Sequence, residues 1–145
     1  MSVSASGELV DKLRHCFAAH HEVLEAYLFG SHARGDEAAH SDIDVAVYVD
    51  PALVPDSSFG YAAKLTADLV KTLGSDTVDV VILNHAPPLL YHRVLRDGVR
   101  ILTRDPAATT TREGRALSRY CDYVPQLRKI DEAHAARIAA GHFGR

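Results

Sequence analysis

Two aspartates one residue apart, Asp42-Ile43-Asp44, are the side chains of this sequence whose spacing most directly suggests chemistry. At positions i and i+2 of a strand they point to one side of a sheet, and Ile43 and Val45 point to the other. Two anions held that close repel each other, and a divalent cation between them removes the conflict. Hard oxygen donors with no Cys or His cluster nearby favour Mg²⁺ or Mn²⁺ over zinc. A bare Asp-x-Asp also fits an exposed strand face on which both carboxylates are simply solvated.

Gly30-Ser31, ten residues upstream, changes the balance. A glycine just after a strand allows close backbone approach, and neighbouring N–H groups can face a phosphate. Ser31 adds a hydroxyl, and Arg34 a guanidinium suited to bidentate phosphate contact. A third carboxylate would complete a two-metal arrangement. Asp79 is the candidate, because it interrupts the apolar run Val78, Val80, Val81 and Ile82, where an aspartate is locally disfavoured. Asp76 competes, but it precedes the run and reads as a turn residue.

The elements that must hold these residues follow from periodicity. Leu9, Leu13 and Phe17 with Val10 predict an amphipathic helix over about residues 7–20. Val23 to Phe29 is a short strand ending at Gly30-Ser31, and residues 32–41 form a polar loop. Ile43, Val45, Val47 and Val49 alternate with Asp42, Asp44, Ala46 and Tyr48, the period of a strand with one buried face. Ala62, Leu65, Leu69 and Leu73 make a helical stripe stopped by Gly74. Val78 to Leu83 is a third strand, and Pro87-Pro88 opens a helix to Asp97, with Gly98 ending it. Val99 to Leu102 is an edge-like fourth strand. Thr110 and Glu113 have capping-box spacing and open a final helical region that Pro125 should kink or split. The order predicts one mixed α/β domain over 1–145, with a core of 1–105 and a helical C-terminal segment of 106–145.

Composition excludes several classes. The 145 residues suit one domain, and 47% apolar with 24% charged residues is ordinary globular usage. A net charge of −3 argues against coating nucleic acid by electrostatics. No apolar run spans a bilayer, and Met1 to Glu8 lacks signal-peptide blocks. Cys16 and Cys121 build no disulfide framework, which predicts reduced thiols in a cytoplasmic protein. Residues 1–111 hold nine Lys/Arg against fifteen Asp/Glu, whereas 112–145 hold seven against four. The basic end is either an exposed helical face or a segment that meets an acidic partner.

The stretches Leu28-Phe29-Gly30-Ser31-His32-Ala33-Arg34-Gly35 and Ser41-Asp42-Ile43-Asp44-Val45-Ala46-Val47 resemble the nucleotidyltransferase fold of the DNA polymerase β superfamily. Within it, the chain is most similar to the minimal nucleotidyltransferases encoded as antitoxins beside HEPN toxins, the MntA type. The resemblance extends through Asp79 to Gly98 and to Tyr120-Cys-Asp-Tyr-Val-Pro125. It implies a small mixed sheet flanked by helices, and transfer of AMP from Mg²⁺-bound ATP to a tyrosine hydroxyl of a cognate HEPN ribonuclease, which is thereby neutralised. It further implies that Asp42 and Asp44 hold the metals, Asp79 completes the site and helps deprotonate the acceptor, and Gly30 and Ser31 hold the triphosphate. Arg34 is the matching motif arginine. Neither direct nucleic-acid binding nor a membrane is implied. Adenylyl transfer needs positioning and charge neutralisation more than a covalent nucleophile, so the residues and the resemblance agree.

Two other readings compete. The chain could neutralise its partner by binding alone, or it could modify a small molecule of the aminoglycoside type, for which 145 residues leave little room. The nine histidines show no Cys/His ligand spacing. Most read as solvated side chains, and His32, inside the motif loop, is the one that could instead touch a phosphate or base. Arg137 and His142 match a HEPN ribonuclease spacing by coincidence, and Tyr120 and Tyr123 read as packed helix tyrosines.

Overall fold

The computed structural model of the chain describes residues 2–30, 42–54, 58–75 and 77–139. The elements run α1 (Ser2–Ala18), β1 (Val23–Phe29), β2 (Ile43–Val49), α2 (Ser58–Leu73), β3 (Val78–Ile82), a 3-10 turn (Leu83–His85), α3 (Pro88–Asp97), β4 (Val99–Thr103) and α4 (Pro106–Ala139). The strands form one sheet in the order β3-β2-β1-β4. β1 is antiparallel to both neighbours, and β2 runs parallel to β3. This is the mixed sheet with flanking helices that the sequence predicts.

Alternation along the strands gives each face its own core. Ile43, Val45, Val47 and Val49 of β2 join Leu13 and Phe17 of α1 and Leu65 and Leu69 of α2 on one face. Tyr27 of β1 and Ala46 of β2 join Tyr91 and Val94 of α3 and Ala116 of α4 on the other. Gly74 ends α2 with φ of +67°, and its N–H donates to the Val70 carbonyl at 2.9 Å. That left-handed cap suits glycine, as the sequence predicts.

The helix ends correct three expectations. α1 begins at Ser2 rather than near residue 7. α4 does not start at a Thr110–Glu113 capping box. It starts at Pro106, with the Asp105 carboxylate accepting the N–H groups of Ala107 and Ala108 at 3.1 and 3.3 Å. Asp105-Pro106 is an N-cap followed by an N1 proline, a signal already present in the sequence. Glu113 instead receives the Tyr27 hydroxyl and the Arg100 guanidinium, both at 2.6 Å. Pro125 does not split α4, which is continuous through it. Pro125 and Cys121 are both exposed, so the carbonyl left without its helical donor meets water instead of a core. Among the described residues no helix is long and apolar enough to cross a membrane.

Candidate functional site

The two aspartates of the motif sit where β2 begins. Ile43, Val45 and Val47 belong to the core under α1 and α2, so Asp42 and Asp44 turn to the opposite face, that of Ala46. β3 obeys the same alternation. Val78, Val80 and Ile82 pack toward α1 and α2, Val81 packs toward α3 and α4, and Asp79 shares the side of Val81. Asp44 and Asp79 are register partners in the parallel pair, and Phe29, the last residue of β1, is the partner of Asp44 on its other side. Adjacent strands lie about 4.8 Å apart and residues i and i+2 about 6.6 Å, so three carboxylates spring from one corner of one face. Asp42 and Asp79 are exposed there and Asp44 is half-buried.

Gly30 closes that corner. Its φ is +78°, and a Cβ placed on it would strike the Asp44 carboxylate oxygen, with the Asp44 Cγ 3.2 Å away. A residue with a side chain would therefore be strained in its backbone and would also push on Asp44. The sequence assigns Gly30 an expected phosphate approach and gives no sign of its closeness to the aspartate fourteen residues on. Ser31 and Arg34, and with them His32, lie outside the described residues.

The structure thus brings Gly30, Asp42, Asp44 and Asp79 together. Among the described residues no three His, Cys, Asp or Glu side chains converge closely enough to hold a metal. The three carboxylates form a row along the start of β2 and β3 and not a closed cage. The donor set still suits a hard divalent cation, since it is all carboxylate and sits against a backbone cradle that only glycine leaves open.

Two ionic anchors tie α4 to the sheet that carries this row. Glu25 of β1 is fully buried, and it receives the Arg112 guanidinium at 2.6 and 2.7 Å and the Thr109 hydroxyl at 2.9 Å. Arg112 also lies over the Tyr48 ring, 4.8 Å from its centroid. Two residues further along β1, Tyr27 donates to Glu113, which also pairs with Arg100. Burial, the bond to Glu113 and that carboxylate's charge hold the Tyr27 phenol far above its ordinary pKa. Sequence reasoning missed these anchors. The available signal was a glutamate inside the apolar run Val23–Phe29, the same irregularity that singled out Asp79. A groove on this side of the molecule is lined by Tyr27, Leu95, Arg96, Arg100, Glu113 and Leu117.

The C-terminal half of α4 leaves the body. Tyr120 stacks on His92 of α3, with ring centroids 3.6 Å apart. Beyond Leu127 every described side chain is exposed, including Ile130 at 59%.

Comparison with known proteins gives a consistent result. The protein family described as "Polymerase beta, Nucleotidyltransferase" matches residues 11–107. A Methanocaldococcus jannaschii protein that bears the name "Putative protein adenylyltransferase MJ0435" is 35% identical over 82 residues, 57% of this chain and 83% of that protein. A toxin–antitoxin structure with AMP-PNP superposes with a TM-score of 0.70 at 24% identity, covering 86% of this chain and 98% of its own. A tri-AMPylated Shewanella oneidensis HEPN toxin in complex with MNT antitoxin superposes with a TM-score of 0.59 at 23% identity, covering 92% and 99%. At those identities the two structures establish a shared fold.

Proposed function

We infer, from the premise that the chain belongs to the Polymerase beta nucleotidyltransferase family, that it is a protein adenylyltransferase acting as an antitoxin. It moves AMP from Mg²⁺-bound ATP to a tyrosine hydroxyl of a HEPN-type ribonuclease and so silences that partner. The observation that carries the reading is the row Asp42, Asp44 and Asp79 on one sheet face, with Gly30 against Asp44. The names of the adenylyltransferase relative and of the AMPylated toxin complex support the substrate and partner class.

In this reading Asp42 and Asp44 would hold the metals, and Asp79, beside Asp44, would complete the metal site and help deprotonate the incoming hydroxyl. Gly30 and Ser31 hold the triphosphate through backbone N–H groups and the serine hydroxyl, and Arg34 adds a cation to it. Bound Mg²⁺ supplies neutralisation of the charge that develops on the phosphate and the departing pyrophosphate. The protein's contribution is placement, which can account for about 7–11 kcal/mol of a transfer barrier. We assign the chain to the cytoplasm, where its free thiols Cys16 and Cys121 stay reduced.

Incubation with labelled ATP, Mg²⁺ and the HEPN protein encoded beside it should label that protein. Asp42→Ala with Asp44→Ala should abolish the label while leaving folding largely intact, since relieving like-charge repulsion need not destabilise. Failure of the wild type to transfer under any metal condition would overturn the catalytic reading. The exposed end of α4 favours one alternative, neutralisation by binding alone. On that reading the double variant would still neutralise the toxin at equal dose.

A further inference from the structure

The sheet has two edges, and among the described residues they are protected differently. The β4 edge carries a register shift opposite Ala26 and Tyr27, and the bulged residue there, Ile101, has its carbonyl occupied by the Arg14 guanidinium at 2.9 Å. A bulge and a blocking arginine are the devices by which sheet edges avoid pairing with another chain. The β3 edge has neither. Its register with β2 runs without a shift from Ile43–Val78 to Val47–Ile82, and it contains no proline, lysine or arginine. Among the described residues nothing pairs with its outer side.

The backbone groups on that outer side can be assigned. The Ile43 N–H donates to the Thr77 carbonyl at 2.8 Å. In a parallel pair a residue bonds to the two residues flanking its partner, so the Thr77 carbonyl and the groups of Asp79 and Val81 turn toward β2. Val78 and Val80 therefore present N–H and C=O groups outward, along the strand that carries Asp79, and Ile82 presents its N–H, its carbonyl being the cap of the 3-10 turn Leu83–His85.

The direction of the reaction selects this edge. In adenylyl transfer the acceptor oxygen forms a bond to the α-phosphorus as the bond to the β-phosphate bridging oxygen breaks, with entering and leaving oxygens roughly in line. The hydroxyl proton passes to the Asp79 carboxylate and pyrophosphate departs. With the triphosphate held at Gly30, at the end of β1, the acceptor enters from the far side of the row, which is β3. We propose that the acceptor hydroxyl is presented by an extended polypeptide segment that adds to β3 as a fifth strand, pairing with the outward groups of Val78, Val80 and Ile82. Strand addition supplies main-chain affinity, and alternate side chains supply the selectivity. The substrate class follows: a tyrosine in a segment able to become extended, not one held inside a packed helix.

This inference rests on the adenylyl-transfer reading, and hydrogen exchange on the full chain separates the two. With AMP-PNP and the neighbouring HEPN protein, the amides of Val78, Val80 and Ile82 should slow by about tenfold or more, while those of Asp79 and Val81 keep their rates. Val80→Pro, which removes one outward donor and no donor to β2, should raise the KM for the partner about tenfold with the KM for ATP unchanged. Labelling of the partner without protection of the three outward amides would overturn the strand-addition proposal. Protection without labelling in any metal would overturn adenylyl transfer and leave a docking edge, and absence of both would overturn both.

Discussion

Replacing Gly30 with alanine separates two costs that a glycine motif usually confounds. The left-handed φ of Gly30 costs an alanine about 1–2 kcal/mol. The collision with Asp44 adds a second cost, because that side chain must leave its rotamer, at about 0.5–1.5 kcal/mol. Gly74 is the internal control. Its φ is +67°, and a Cβ there meets nothing within 4 Å. Urea denaturation should therefore find Gly30→Ala less stable than Gly74→Ala by about the rotamer term alone. In an Asp44→Ala background the difference should vanish, since the collision partner is gone. Activity should part more sharply. A displacement of the Asp44 carboxylate by about 1 Å should slow single-turnover label transfer about 10²-fold, whereas Gly74→Ala should leave it unchanged. Equal stability and equal transfer rates in the two alanine variants would refute the contact as a positioning device.

Three further outcomes follow from the same geometry. Arg112→Ala leaves the Glu25 carboxylate fully buried without its cation and should cost about 3–5 kcal/mol in urea titration. Glu25→Leu combined with Arg112→Met should restore most of that loss. The Tyr91 hydroxyl is buried without a partner, and burial first, with the Glu25 charge second, pushes its pKa up to about 12. Tyr91→Phe should thus be neutral or stabilising by about 1 kcal/mol in thermal unfolding. His20 has both ring nitrogens against acceptors, the Cys16 carbonyl at 2.9 Å and the Asp68 carboxylate at 3.2 Å, so the bonded ring is the imidazolium. Burial alone would lower its pKa, but the Cys16 bond, the Asp68 bond and the charges of Glu22 and Asp68 outweigh it and raise the pKa above 6.5. A raised folded pKa means that this stabilisation is complete below about pH 6.5 and is lost as pH climbs through the folded value. The Tm of the wild type should fall across that window relative to His20→Ala, and a parallel pair of curves would count against the clamp.

Much of this protein was legible along the chain, because its strongest signals are local. The alternation from Asp42 to Val49 fixes which side chains share a face whatever the sheet packs against, so the aspartate pair and the apolar core side could be read together. Gly74 and Pro87-Pro88 likewise act through their own backbone dihedrals. What failed locally did so where two signals competed for one helix: Asp105-Pro106 won over Thr110–Glu113 because Glu113 was drawn to Tyr27 and Arg100 across the sheet.

Strand order and register belonged to the tertiary structure alone. Nothing in the sequence from 42 to 79 states that β3 runs parallel beside β2, so that Asp79 stands next to Asp44, or that β1 returns antiparallel and sets Gly30 against the same carboxylate. These relations join residues fourteen to thirty-five positions apart, and no propensity acts over that distance. They are decided when two apolar faces must be buried at once, by α1 and α2 on one side and α3 and α4 on the other. Closing that core leaves the polar corner, with its three carboxylates and its open edge, at the surface where chemistry can reach it.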